Sequence, residues 1–206
     1  QVAREAGVLY MVDACQSVGQ VPVDVQKIGC DMLAATSRKY LRGPRGTGFL
    51  YVRKELIPEL EPVLLDLHAA TWVAPDRYEI RDDARRFENW ETNFAGKVGL
   101  GVACDYAIEV GIEAGSERLR GLADTLRSEI ESLKGGIVTF TVDGLDPDDI
   151  VAALGREKIN VNTSGARSAR FDMEQRGLEK MVRASVHYYN TEEEIAKAIR
   201  IIRGMR

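Results

Sequence analysis

Histidine and cysteine are scarce in this chain, and their scarcity removes several functions at once. The two histidines, His68 and His187, lie far apart with no HExxH or carboxylate spacing around them, so the sequence offers no metal site. Cys15, Cys30 and Cys104 are odd in number, widely spaced and form no CxxC pair. Neither a disulfide framework nor a zinc site follows from them, and a reducing, cytoplasmic setting fits best. Basic charge is not in excess: a net charge of -4 leaves no evident cationic face for neutralising phosphates, which argues against nucleic acid as a partner. No apolar run approaches the ~20 residues of a membrane helix. The sequence opens without methionine, and its first residues are not expected to form a signal peptide. The chain opens on the charged, helical Gln1-Val2-Ala3-Arg4-Glu5-Ala6 and runs directly into a strand, so it reads as a segment of a longer protein.

What is present is ordinary for a globular protein, 45% hydrophobic and 29% charged, and long enough for one large domain or two small ones. Gly7 is placed to cap the first helix. Val8-Leu9-Tyr10-Met11-Val12 then has the length and branching of a buried parallel strand. A second apolar run, 30–35, ends in Thr36-Ser37-Arg38-Lys39, and a third strand, 49–52, follows the glycine-rich 43–48. Residues 56–95 read as irregular. Residues 99–133 read as a long helical region interrupted near 111–116. Strands are expected at 137–142, 159–163 and 181–187, with helices from Asp146-Pro147 to about Lys158 and over 192–202. This predicts an α/β chain: the remainder of a larger domain over 1–109 and a small α+β domain over 110–206.

Three places carry chemistry. Asp13 directly follows an apolar strand, where open α/β sheets project functional groups, and Gln16 lies three residues on. A buried carboxylate there needs a cationic or hydrogen-bonding partner, which a protonated pyridine nitrogen would supply. The bland alternative is an Asp that starts a turn. Thr36-Ser37-Arg38-Lys39 sets two hydroxyls and a guanidinium, sensible phosphate ligands, beside a lysine able to form an imine with a carbonyl cofactor. The competing reading is a solvated basic loop, since Arg42 and Arg45 follow. Arg183 sits at the start of a strand among apolar residues, where a bidentate carboxylate ligand, or an internal salt bridge to a nearby glutamate, would satisfy it. The glycines of 43–48 do not make a nucleotide cradle, because a strand rather than a helix N-terminus follows them.

The ordered set Val12-Asp13-Ala14-Cys15-Gln16, Thr36-Ser37-Arg38-Lys39 with 43–51, Arg86-Phe87-Glu88, Arg183-Ala184-Ser185 and Tyr189-Asn190-Thr191 resembles the class V aminotransferase family, the pyridoxal-phosphate (PLP) fold type I group that includes cysteine desulfurases. The resemblance implies the C-terminal part of the PLP-binding large domain, with a mostly parallel sheet, plus the small C-terminal domain. It implies that Lys39 forms the internal aldimine and then acts as the proton-shuttling base. Asp13 would pair with the pyridine nitrogen, Gln16 with the ring hydroxyl, and Thr36 with the phosphate. Arg38 stands where desulfurases usually carry histidine, and Thr92 resembles a threonine that reaches the phosphate of the neighbouring subunit of a homodimer. Arg183 would clamp the carboxylate of an amino-acid substrate.

Two departures matter. The loop 163–170, where desulfurases carry a catalytic cysteine, has none. The combination of Arg38 before Lys39, the stretch from Phe87 to Thr92 and that from Arg183 to Thr191 looks closer to the branch holding the ergothioneine-type carbon–sulfur lyase and isopenicillin-epimerase-like proteins. A C–S elimination is therefore expected, with transamination or epimerisation as alternatives within the family. A non-catalytic interaction module that kept the fold is the alternative from another class. The family's N-terminal segment, with its phosphate-binding loop and stacking ring, is not found here, so the isolated chain is expected to bind PLP poorly and turn over little.

Overall fold

Strand β1 (Met11–Asp13) runs parallel to β2 (Met32–Thr36), and β2 pairs antiparallel with β3 (Gly48–Val52), in the order β1-β2-β3. These strands belong to a computed structural model that describes residues 2–128 and 136–205. The chain divides into two units, Gln1–Ile112 and Glu113–Arg206.

In the first unit, a short α1 (Val2–Glu5) precedes β1, and α2 (Val25–Ile28) lies between β1 and β2. Helix α2 is punctuated as its sequence dictates. The Asp24 side chain accepts the Gln26 and Lys27 N–H groups at 2.9 and 3.1 Å, and Gly29 ends the helix at φ +70°. Leu33 and Ala35 turn to one face of β2 and pack with Ala14 and Cys30, flanked by Val12, Val18 and Tyr51. The expected strand at 8–12 is shorter than its apolar run. Val8, Leu9 and Tyr10 precede β1 and are exposed, β1 being an edge strand of its sheet among the described residues.

The stretch read as irregular, 56–95, holds a hairpin. Strands β4 (Ala70–Ala74) and β5 (Arg77–Ile80) pair antiparallel around Pro75-Asp76, with Trp72 opposite Tyr78. Helix α3 (Phe94–Val110) starts on Asn93, whose side chain accepts the Gly96 N–H at 2.8 Å. It is separated from α4 (Ile112–Ser128) by Gly111 at φ +84°, a backbone angle that suits glycine and places at a single residue the interruption expected near 111–116. Residues 129–133 of that prediction lie outside the described residues.

The second unit packs α4, α5 (Pro147–Arg156) and α7 (Glu192–Gly204) around a three-stranded antiparallel sheet in the order β6 (Ile137–Phe140), β8 (Lys180–Ser185), β7 (Asn162–Gly165). A short α6 (Arg170–Gln175), absent from the sequence reading, follows β7. Val138, Phe140, Val182 and Ala184 meet Leu122, Ile150, Leu154 and Ile199 in one core. Asp146 caps α5 through the Asp148 N–H, with Pro147 at its first position. Thr191 and Glu194 form a reciprocal capping box on α7.

Arg118 of α4 grips Glu192 at the start of α7 with both guanidinium nitrogens and also donates to the Asn190 carbonyl at 3.1 Å. The hydrogen bond from Arg118 holds the Glu192 carboxyl down at about 2, against an ordinary 4.5. A folded-state pKa below the unfolded one stabilises above the unfolded value and is lost as pH falls through the folded value. The melting temperature is therefore expected to decline between about pH 4.5 and 2 more steeply in the parent protein than in Glu192→Gln. Parallel calorimetric scans across that window check it; identical slopes would show that the pair contributes nothing.

Candidate functional site

Strands β1 and β2 are adjacent and parallel, so Asp13 and Thr36 leave the sheet at the same, carboxyl, end. That is where open α/β sheets place their ligands. Ala14 N–H donates to the Ala34 carbonyl at 2.8 Å, extending the pairing past Asp13. Asp13 Oδ1 then accepts the Cys15 N–H at 2.9 Å, closing the first turn after β1. The turn predicted by the bland alternative is thus present, and the carboxylate is exposed rather than buried as the sequence reading held. Hydrogen bonds from the thiol and N–H of Cys15, and behind them the positive charge of Lys39, keep the Asp13 carboxyl below the usual carboxylate range. It is anionic at neutral pH and lies within the field of the Lys39 ammonium.

Lys39 occupies the turn that leaves β2. Its carbonyl accepts the Arg42 N–H at 2.9 Å, and the Ser37 carbonyl accepts the Gly43 N–H at 2.8 Å. Ser37 is fully buried. Its Oγ donates to the Thr47 carbonyl at 3.1 Å and lies 2.5 Å from Thr47 Oγ1, with the Pro44 carbonyl also in reach. Thr47 Oγ1 donates to Pro44 O at 2.8 Å. The sequence reading grouped Ser37 with the phosphate ligands, but its hydroxyl is spent inside the loop. Only the short-range pattern of Ser37, Pro44 and Thr47 signalled that use.

The half-buried Lys39 ammonium and the exposed Arg38 guanidinium have no hydrogen-bond or ion-pair partner among the described residues. Thr36 Oγ1 reaches the Thr47 carbonyl only at 3.5 Å. Gln16 is exposed in the turn after β1, its carbonyl accepting from Gln20 Nε2 at 2.9 Å. So Asp13, Gln16, Thr36, Arg38 and Lys39 gather at one strand end: a carboxylate, an amide, a hydroxyl and two cations. A compound with an anionic group, a carbonyl for the lysine and a protonated nitrogen for the carboxylate suits that donor set. The nucleotide cradle does not, since β3 begins at Gly48.

Thr92 lies elsewhere in the same unit, in an open cleft with Gly48, Leu50, Phe87, Glu88 and Lys97; none of the other predicted residues lines it. Glu88 there accepts from His68 Nε2 at 3.1 Å and Lys97 Nζ at 3.5 Å. Buried Arg86 donates to the Ile57 carbonyl at 3.0 Å, fixing the start of this segment. Arg183 belongs to the second unit. It lies inside β8 rather than at a strand start, opposite Thr139 of β6 and Asn162 of β7. Its guanidinium has no ion pair or hydrogen bond among the described residues, so the internal salt bridge weighed against ligand binding is not formed there. Cys15, Cys30 and Cys104 are all unpaired, and none lies in 163–170. No helix among the described residues is long and apolar enough to cross a membrane.

Residues 1–197 match the family described as Aminotransferase class-V. A probable cysteine desulfurase of Methanothermobacter thermautotrophicus is 35% identical over 209 residues, covering 95% of this chain and 52% of that protein. A cysteine desulfurase of Synechococcus elongatus is 33% identical over 98% of this chain and 34% of its own length. Among solved structures, the apo cysteine desulfurase of Thermococcus onnurineus NA1 superposes with a TM-score of 0.90 at 30% identity, covering 99% of this chain and 54% of that one. The cystine C–S lyase C-DES, in complex with its product cysteine persulfide, gives 0.77 at 25% identity over 94% of this chain and 52% of its own. The chain spans about half the length of the first curated relatives it matches.

Proposed function

This chain belongs to the class V aminotransferase family, and on that premise we propose that it carries the cofactor lysine and substrate arginine of a PLP-dependent enzyme that breaks a carbon–sulfur bond in an amino acid. Its fold is that of the fold type I PLP enzymes. The observation that carries the reading is the placement of Asp13 and Lys39 at the ends of neighbouring parallel strands, the carboxyl held ionised within the field of Lys39 and the amine without a hydrogen-bond or ion-pair partner among the described residues. Residues 1–109 would be the remainder of the PLP-binding large domain and 110–206 the small domain.

Lys39 Nζ would hold the cofactor covalently, Asp13 would keep the proton on its ring nitrogen, and Gln16 would meet its ring hydroxyl. Thr36 and Arg38 would take its phosphate, with Thr92 serving the phosphate of a second copy in a homodimer. PLP supplies an electron sink for the pair left when a bond at the substrate α-carbon breaks. The Lys39 amine would also serve as the base that takes the substrate α-proton. Arg183 would bind the substrate carboxylate through paired N–H donors. Without a cysteine in 163–170 to accept sulfur, sulfur would depart with the leaving group. That favours elimination over persulfide formation on the protein, in a cytoplasmic enzyme whose thiols stay free.

The test is to incubate the natural full-length polypeptide and PLP with L-cysteine, L-cystine and S-alkyl cysteines, following thiol or sulfide against pyruvate and ammonia. Stoichiometric release of sulfur species and pyruvate is the expected result. Amino transfer to a keto acid with sulfur retained, or inversion at the α-carbon, would move the chain to the aminotransferase or epimerase alternatives. No reaction by a PLP-loaded protein on any of these would contradict the proposal.

A further inference from the structure

The Lys39 loop is fastened to one face of α3. Gly96, Gly99, Ala103 and Tyr106 fall within about an 80° arc of that helix at ~100° per residue, and Gly101 falls on the opposite side. A Cβ on Gly99 would come within 2.6 Å of Pro44 Cγ, and a Cβ on Gly96 within 2.6 Å of Thr47 Cγ2 and of the Asn93 amide. A Cβ on Gly101 meets nothing within 4 Å. The Pro44 ring and the Thr47 side chain of the loop therefore lie against α3 closely enough that a methyl group at either of two positions one turn apart would force them to shift.

At the next contact along the same face, the Arg42 guanidinium sits 4.8 Å from the centre of the Tyr106 ring. Arg42 is held at φ +61°, an uncommon conformation for a residue with a side chain. Such a backbone persists only where its surroundings over-determine it. Here they do: the Arg42 N–H is bonded to the Lys39 carbonyl, its side chain rests on Tyr106, and the next residue, Gly43, is bonded to Ser37. A Cβ on Gly43 would meet the Ser37 Cβ at 2.8 Å, so the two ends of the turn carrying Lys39 touch. A chain of contacts thus runs from α3 through Pro44, Thr47 and Arg42 to both ends of the Ser37–Gly43 turn.

We infer that Gly99 and Tyr106 of α3 are positioning residues for Lys39: the glycine seat and the Arg42–Tyr106 contact set where the Lys39 amine points. The inference rests on the assignment of Lys39 as the cofactor lysine, and its test separates the two. Three variants of the natural full-length polypeptide are compared: Gly99→Ala, Gly101→Ala and Tyr106→Leu, with Tyr106→Phe as the conservative rescue. Both alanines gain helix propensity, so a purely helical effect raises stability alike in the two.

The first readout needs no cofactor. Deuterium exchange at the Arg42 and Gly43 amides, which report the turn directly, is expected to quicken at least tenfold in Gly99→Ala and Tyr106→Leu. It should stay unchanged in Gly101→Ala and Tyr106→Phe. The second readout is the visible circular dichroism of the Lys39-bound cofactor, which reports its fixed orientation and is expected to weaken in the same two variants. Turnover in Gly99→Ala should fall roughly a hundredfold, the effect of an ångström-scale misplacement. Equal exchange in Gly99→Ala and Gly101→Ala, with unaltered circular dichroism, would overturn the inference. A parent protein that binds no PLP through Lys39 would sink the cofactor assignment instead, while the exchange data would still judge the seat.

Discussion

Lys39→Ala is expected to lower turnover of the full-length polypeptide by roughly 10⁴- to 10⁶-fold, the range seen when a single essential covalent or proton-transfer group is removed. The same amine serves twice, holding the cofactor and moving the α-proton, so no neighbour can share the loss. Arg38, next in sequence, is permanently charged and cannot act as a base. The fold should be untouched: Lys39 contributes its carbonyl to the turn, through the Arg42 N–H, and its ammonium has no hydrogen-bond or ion-pair partner among the described residues. The check is kcat in parallel with the melting temperature. A variant that melts like the parent but retains a tenth of its turnover would remove Lys39 from the chemistry. Small amines such as methylamine, added in solution, should restore part of the rate by supplying the missing base.

Arg183→Leu is expected to cost about a hundredfold or more in kcat/KM, and to do so selectively. Hydrogen bonds to charged groups are worth about 1.5–3 kcal/mol each in net terms, and every 1.4 kcal/mol is tenfold, so one lost bidentate contact reaches that size. The selectivity is the diagnostic part. An amine substrate lacking the α-carboxylate should react with parent and variant at similar, low rates, because it never used the guanidinium. Stability should change little, since the Arg183 side chain has no ion pair or hydrogen bond among the described residues to lose, and its backbone pairing in β8 is kept by leucine. If both substrates lost rate alike, or the variant unfolded, Arg183 would be a structural residue of β8.

The readable features share a physical cause: they are local. The Asp146-Pro147 cap and the start of α7 at Thr191 depend on side chains within a few residues of the backbone they satisfy, whereas the equally local Asp24 and Gly29 ends of α2 went unread. Asp13 and the turn at Lys39 were legible for a similar reason, each directly following an apolar run that had to be a strand. The β4–β5 hairpin was missed because its strands are short and largely exposed, so no burial pattern marks them. Only Thr71-Trp72-Val73 before Pro75-Asp76 hinted at it. The exposure of Asp13 and the missing partner of Arg183 depend on what the whole fold brings near each group, which spacing does not encode. The seat on α3 was hidden in the same way: Gly96 and Gly99 look like poor helix residues until Pro44 and Thr47 are seen against them.

The measurement that bears most directly on the central claim is borohydride trapping of the natural full-length polypeptide after incubation with PLP, followed by peptide mapping. The account predicts a visible band near ~420 nm that borohydride bleaches, leaving one stable cofactor adduct on the peptide containing Lys39 and none in Lys39→Ala. A band and adduct that persist in Lys39→Ala, or a parent protein that is never labelled, would contradict it.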